Sequence, residues 1–123
     1  MSDARAACLR LRDAGCANTV GYFNGDDEAP RVIADADLAA IEMFGAEGLD
    51  AYLSVKVPAL KFDAGLLAEI ARAAGAKNVG MHFDSHAPED ADRTFTAVDA
   101  AVAAKVAVGC TLPARWQIGR AHV

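Results

Sequence analysis

The sequence predicts an α/β fold with a parallel sheet, on three observations. Short runs rich in β-branched and aromatic residues alternate with longer runs of helical periodicity. The strand starts, near residues 17, 51, 78 and 106, recur at about the length of one βα unit. No linker or low-complexity tract divides the 123 residues, so we expect one domain. Four such units form either a small doubly wound sheet or half of a (β/α)₈ barrel, because a full barrel needs about 250 residues.

The first half of the chain contains two predicted helices and two predicted strands. Gly15 closes the first helix, since glycine readily adopts the left-handed conformation of a C-cap. The first strand ends in a polar turn, after which Pro30 starts the second helix. Gly48 ends that helix. Its predicted buried stripe is Ile33, Leu38, Ile41 and Phe44. The predicted bounds are helix 3–13, strand 17–23, helix 30–47 and strand 51–57.

The second half repeats the same alternation. Gly75 is predicted to end the third helix, which places Leu66, Leu67 and Ile70 on one face. A polar loop over residues 85–90 precedes the fourth helix. This helix carries Phe95, Val98 and Val102 at helical spacing. The predicted bounds are helix 64–74, strand 78–84 and strand 106–112.

The composition is typical of a globular protein and excludes several other classes. Hydrophobic residues make up 54% and charged residues 24%, which argues against a disordered tail. A net charge of −5 argues against nucleic acid or an anionic membrane as partner. No stretch has the 18 or so apolar residues of a membrane span, and the N-terminus lacks the apolar core of a signal peptide. The cysteines, Cys8, Cys16 and Cys110, lack C-x-x-C spacing and are predicted to be buried thiols, so we expect a cytoplasmic protein.

Ligands of parallel α/β folds bind at the carboxyl ends of the strands, so the candidate site residues are the polar side chains there. Lys56 stands in an otherwise apolar strand, and a buried ammonium needs a partner, for which Asp84 is the candidate. Such a pair can bind a substrate carboxylate or move a proton. The alternatives are a structural ion pair, or a lysine that points outwards between helices.

A metal site is a second possibility, because His82 and Asp84 share one face of a strand and His86 follows in the loop. Single histidines are more often hydrogen-bonded core or loop residues, and no second cluster of ligands accompanies these three. Cys110 is predicted to be a core residue rather than a nucleophile.

Three segments resemble, in order and spacing, the proline dehydrogenase family. They are Tyr-Leu-Ser-Val-Lys-Val-Pro-Ala-Leu at 52–60, Met-His-Phe-Asp-Ser at 81–85 and Val-Gly-Cys-Thr-Leu-Pro at 108–113. This family is an FAD-dependent (β/α)₈ barrel that oxidises L-proline to pyrroline-5-carboxylate by hydride transfer. The resemblance spans about residues 19–113 and implies the N-terminal half of such a barrel, with FAD as cofactor.

The resemblance also implies roles for single residues. Lys56 would contact the substrate carboxylate and Asp84 would be the catalytic-site aspartate, while Ser85 and Pro113 would contact the flavin. The family usually has glutamine where this chain has Pro113, and often an acidic residue where it has His86. These departures extend the implied substrate from L-proline to related cyclic or secondary amino acids. The resemblance does not identify the electron acceptor, for which a quinone is one candidate. It also leaves open whether the parent enzyme binds peripherally to the inner membrane.

The family's other carboxylate-binding residues are arginines from a later strand and the final helix, and the chain stops before both. We therefore expect residues 1–117 to be an inactive half of an oxidoreductase. The tail, 118–123, has no helical stripe and back-translates to a string that resembles a sequencing-library adapter, so we interpret it as non-native read-through. A half barrel exposes two strand edges and an apolar inner face, which predicts self-association. The alternative function is a stand-alone α/β protein that binds a ligand or metal through the loop of His82, Asp84 and His86.

Overall fold

The structure, a computed structural model, describes residues 2–114 and confirms the α/β class. The helices are α1 (Ser2–Asp13), α2 (Pro30–Glu47), α3 (Ala64–Ala76) and α4 (Ala91–Ala103), and the strands are β1 (Asn18–Gly21), β2 (Ala51–Val55), β3 (Gly80–Phe83) and β4 (Val108–Cys110). Short 3₁₀ turns follow β2 and precede α4. Each strand is shorter than predicted: the strands end at Gly21, Val55, Phe83 and Cys110, and β3 and β4 also begin two residues later than predicted. The tail predicted to be non-native, 118–123, lies outside the described residues.

The four strands are parallel and lie in the order β1-β2-β3-β4. Every crossover therefore steps in the same direction. Right-handed crossovers that all step one way place their helices on one face of the sheet. A doubly wound sheet would reverse direction and carry helices on both faces. Residues 2–114 contain no such reversal, so the doubly wound alternative is not what this part of the chain forms.

The core lies between this sheet and its helices. Leu53 and Val55 of β2 and Met81 and Phe83 of β3 are each at most 2% exposed, and they occupy the alternate positions that face the helices. Burial of each such side chain contributes about 1.5 to 3 kcal/mol. The predicted stripe of α2 is confirmed, with Ile33, Ile41 and Phe44 buried and Leu38 partly buried.

Helix α4 packs differently from the expectation. Val102 is 53% exposed, whereas Ala97 and Ala101 are buried against the core. The helix thus turns its alanines towards the sheet and leaves the larger side chains at the sides or in solvent. Small residues therefore line the space between α3 and α4.

Two of the three predicted glycine stops are confirmed. Gly15 and Gly48 adopt left-handed conformations, and the Gly48 N–H caps the C-terminus of α2. Gly75 does not end α3, which runs on to Ala76. The left-handed residue after α3 is Asn78, with φ 55°. Asparagine tolerates this conformation better than most residues, so it replaces glycine at the turn.

Candidate functional site

The face of the sheet opposite the helices is lined by small and polar residues rather than by apolar ones. Its alternate strand positions and their continuations are Thr19, Gly21, Tyr52, Ser54, Lys56, His82, Asp84, Gly109 and Thr111. Glycine is the residue that fits best at two of these positions. A Cβ atom added to Gly21 would lie only 3.0 Å from the Ser54 side chain, and one added to Gly109 would lie only 3.1 Å from the His82 ring. The predicted apolar inner face is therefore wrong, because the apolar strand residues other than Tyr52 are buried in the core or packed against it. We call this surface the open face.

Lys56 lies at the carboxyl end of β2 on this face. Its Nζ donates a hydrogen bond to the backbone oxygen of Tyr22, at 3.3 Å, and lies 4.7 Å from the centre of the Phe23 ring. The predicted ion pair with Asp84 does not form in this structure. Asp84 follows β3 one residue beyond the last pair of the β2–β3 ladder, so the two residues are neighbours, but the lysine side chain leans towards β1 instead.

Asp84 is held by its other neighbour. The hydroxyl of Ser54 donates to Oδ2 of Asp84 at 2.8 Å, and the Asp84 N–H donates to the backbone oxygen of Val55 at 3.0 Å. Both side chains are partly buried. The Ser54 hydroxyl thus orients the Asp84 carboxylate, and neither Ser54 nor Val55 carries a charge that would neutralise it.

A second carboxyl acts on the site from the helix side. Asp37 of α2 is 3% exposed, and burial raises its pKa to about 7, while attraction by Lys56 opposes this rise. Asp37 is not among the site residues predicted from the sequence, although its position in α2 indicates that it is buried. It stands four residues from both Ile33 and Ile41, in the middle of the predicted buried stripe.

The loop after β1 closes the site beside Lys56. The Tyr22 hydroxyl donates to Oε1 of Glu28 at 2.9 Å, and this hydrogen bond, assisted by burial, raises the pKa of Tyr22. Oε2 of Glu28 is buried and has no hydrogen-bond partner among residues 2–114. Phe23 is 89% exposed despite its size. The loop therefore places a free aromatic ring next to the ammonium.

The His82 segment does not assemble a metal centre within the described residues. Nε2 of His82 lies 3.0 Å from Oγ1 of Thr111, and its ring centre is 6.0 Å from that of Tyr52. His86 is exposed in the following loop. Between Ser2 and Ala114, no group of three or more His, Cys, Asp or Glu side chains could hold an ion. The metal alternative thus gains no support from this part of the chain.

The residues that the resemblance assigns to the flavin lie at the same edge of the sheet. Ser85 follows β3 and Pro113 follows β4, and both are partly buried. FAD carries two phosphates, whereas Ser85 and Pro113 carry no charge. These residues do not fit a complete FAD site. No reaction step can be derived through the cofactor from them.

Comparisons with known proteins place no constraint on this site. Neither a family model nor a curated protein sequence matches the chain. Within residues 2–114, no helix has the length and apolar character needed to cross a membrane.

Proposed function

We propose that this chain is the substrate-binding half of a (β/α)₈-barrel oxidoreductase of the proline dehydrogenase type. The single observation that carries the proposal is the position of Lys56. Its ammonium stands at the carboxyl end of a parallel strand, on the open face, with a carbonyl and an aromatic ring as neighbours and no carboxylate within ion-pair distance among the described residues. The sheet order β1-β2-β3-β4 supports the proposal, because consecutive barrel units add their strands in one direction.

The charges around Lys56 match a zwitterionic amino acid. An ammonium has three donor hydrogens, and the backbone oxygen of Tyr22 accepts one, so two remain for a substrate carboxylate. Asp84 is one strand away, with Oδ2 engaged by Ser54 and Oδ1 left to accept from a substrate ammonium. A cation and an anion on adjacent strands thus bind the two ends of an α-amino acid.

The exposed ring of Phe23 favours a substrate with an apolar ring. It lies against the ammonium that holds the carboxylate, so the carbon skeleton of a bound cyclic amino acid would contact the ring face. L-proline and related secondary amino acids have this shape. FAD would supply the oxidation of such a substrate, and the role of Lys56, Asp84 and Phe23 is to bind and orient the substrate.

The test is a titration of the ¹⁵N-labelled chain with L-proline, followed by NMR amide shifts. We expect saturable shifts at Ser54, Lys56 and Asp84, and at least a tenfold loss of affinity in Lys56→Ala. Lys105→Ala, which removes an exposed lysine from the loop before β4, is the matched control and should bind as the unmodified chain does. Pyrrolidine, which lacks the carboxylate, should not distinguish Lys56→Ala from the unmodified chain. Equal binding of L-proline by both lysine variants, or no saturable shift, would overturn the proposal.

A further inference from the structure

A groove on the helix side of the sheet has no part in the proposed function. It lies between α3 and α4, on the opposite side of the sheet from Lys56, and has a volume of about 290 Å³. Its floor is formed by Met81 and Phe83, which are almost fully buried, and Ala100 is at its exposed rim. An apolar cavity of roughly 150 Å³ already binds benzene in another protein, so this groove has room for a larger apolar group.

The groove exists because alanines face each other across it. Ala68 and Ala71 of α3 stand opposite Ala97 and Ala101 of α4, and none of them reaches far enough to fill the gap. The larger side chain of Val102 on the same helix is turned out to solvent instead. The space is therefore a consequence of which face α4 presents.

The charged residues that line the groove, within the described chain, are both arginines. Arg72 comes from α3 and Arg93 from α4, in a chain whose net charge is −5. The Arg93 guanidinium is held 3.6 Å from the centre of the Phe62 ring and 3.1 Å from Asp90. Phe62 itself adopts a left-handed backbone, with φ 56°, which brings its ring to the groove. An apolar floor below two guanidinium groups, of which that of Arg93 already pairs with Asp90, is complementary to an amphipathic anion.

We propose that this groove binds a medium-chain aliphatic carboxylate. The alkyl chain lies between the exposed alanines Ala68, Ala100 and Ala104, above Met81 and Phe83, where it displaces water from apolar surface, and the carboxylate lies with Arg72 and Arg93. The lining has few other polar groups, so an uncharged polar ligand would leave its own hydrogen-bonding groups unsatisfied.

The test is calorimetric titration with hexanoate, octanoate and decanoate. We expect the Kd to fall by about fourfold for each added methylene, as burial of alkyl surface requires. Octanol should bind more weakly than octanoate. Arg72→Ala and Arg93→Ala should weaken octanoate but not octanol.

A matched pair of variants locates the ligand. Ala100→Phe fills the rim of the groove from an exposed position, so the fold should tolerate it. Ala103→Phe makes the same change on the same helix, at an exposed residue outside the groove. We expect Ala100→Phe to abolish octanoate binding and Ala103→Phe to preserve it.

Three results would overturn the proposal: no saturable binding, equal binding by both phenylalanine variants, or a dimer that Ala100→Phe dissociates and octanoate does not. The proposed L-proline site and the proposed octanoate site can be tested independently of each other. Lys56→Ala should leave octanoate binding intact, and Ala100→Phe should leave the L-proline shifts intact.

Discussion

Ser54 and Asp84 are joined across β2 and β3 by a hydrogen bond of 2.8 Å between Oγ and Oδ2. Lys56 and Asp84 do not pair with each other, although the ladder makes them neighbours. The carboxylate is turned towards the serine, while the lysine leans towards Tyr22. The two charges stay separate on the open face, which is the arrangement that a zwitterionic substrate needs and an internal ion pair would remove.

The bond between Ser54 and Asp84 has a measurable coupling energy. We expect Ser54→Ala to lower the free energy of unfolding by about 1 kcal/mol, because the carboxylate loses a partly buried donor. A double-mutant cycle with Asp84→Ala, followed by urea unfolding, should give a coupling energy of about the same size. A coupling energy near zero would mean that the bond does not form in solution.

Asp37 makes stability depend on pH. Its pKa is raised from 3.8 to about 7 by burial, so between those values the native chain holds a proton that the unfolded chain releases. The free energy of unfolding should therefore fall as the pH rises through this window. Asp37→Asn cannot ionise, so it should flatten the profile and be more stable than the unmodified chain at pH 8 by on the order of 4 kcal/mol.

The control for this effect is Asp99→Asn, an exposed position on α4. Urea unfolding at pH 5 and pH 8 should show the same pH dependence in this variant as in the unmodified chain. If Asp37→Asn also keeps the full dependence, the buried carboxyl is not its source. A loss of stability at both pH values would instead mean that Asp37 is ionised and favourably paired.

The left-handed backbone conformation of Lys105 should lower the free energy of unfolding. Lys105 has φ 62° in the exposed loop before β4, and a side chain there is strained by its own backbone. Lys105→Gly should raise the free energy of unfolding by about 0.5 to 1 kcal/mol, after allowance for the entropy of glycine in the unfolded chain. Asn78→Gly is the comparison, with φ 55° at the other turn, and should change stability little because asparagine already tolerates the conformation. Equal gains at both positions would contradict this reasoning.

The order and type of the elements could be predicted from the sequence, since periodicity and turn residues are local signals. Pro30 and Glu47 were predicted as the bounds of α2, and the structure has them there. The rotation of α4 could not be predicted, because it depends on how Ala97 and Ala101 pack against residues far along the chain. The prediction of a buried thiol is confirmed for Cys8. It is wrong for Cys16, which is exposed, and Cys110 is only partly buried.

The candidate site was predicted in position but not in its contacts. The strand ends identified Lys56 and Asp84, because parallel strands bring their carboxyl ends together whatever their partners are. Which group each side chain would contact depended on side-chain direction. Phe23 and the Tyr22 carbonyl compete with Asp84 for the lysine, and no spacing in the sequence reports that competition.

Substitution of Phe23 tests whether the loop beside Lys56 serves the fold or binds the substrate. The side chain is 89% exposed and contacts the ammonium at 4.7 Å, so Phe23→Ala should change the free energy of unfolding by less than about 0.5 kcal/mol. The same variant should weaken L-proline binding several-fold in the NMR titration, because the ring covers the ligand. Phe23→Leu keeps an apolar contact and should fall between the two. A loss of stability above about 1 kcal/mol, with L-proline affinity unchanged, would assign the ring to the fold and leave the substrate with Lys56 and Asp84 alone.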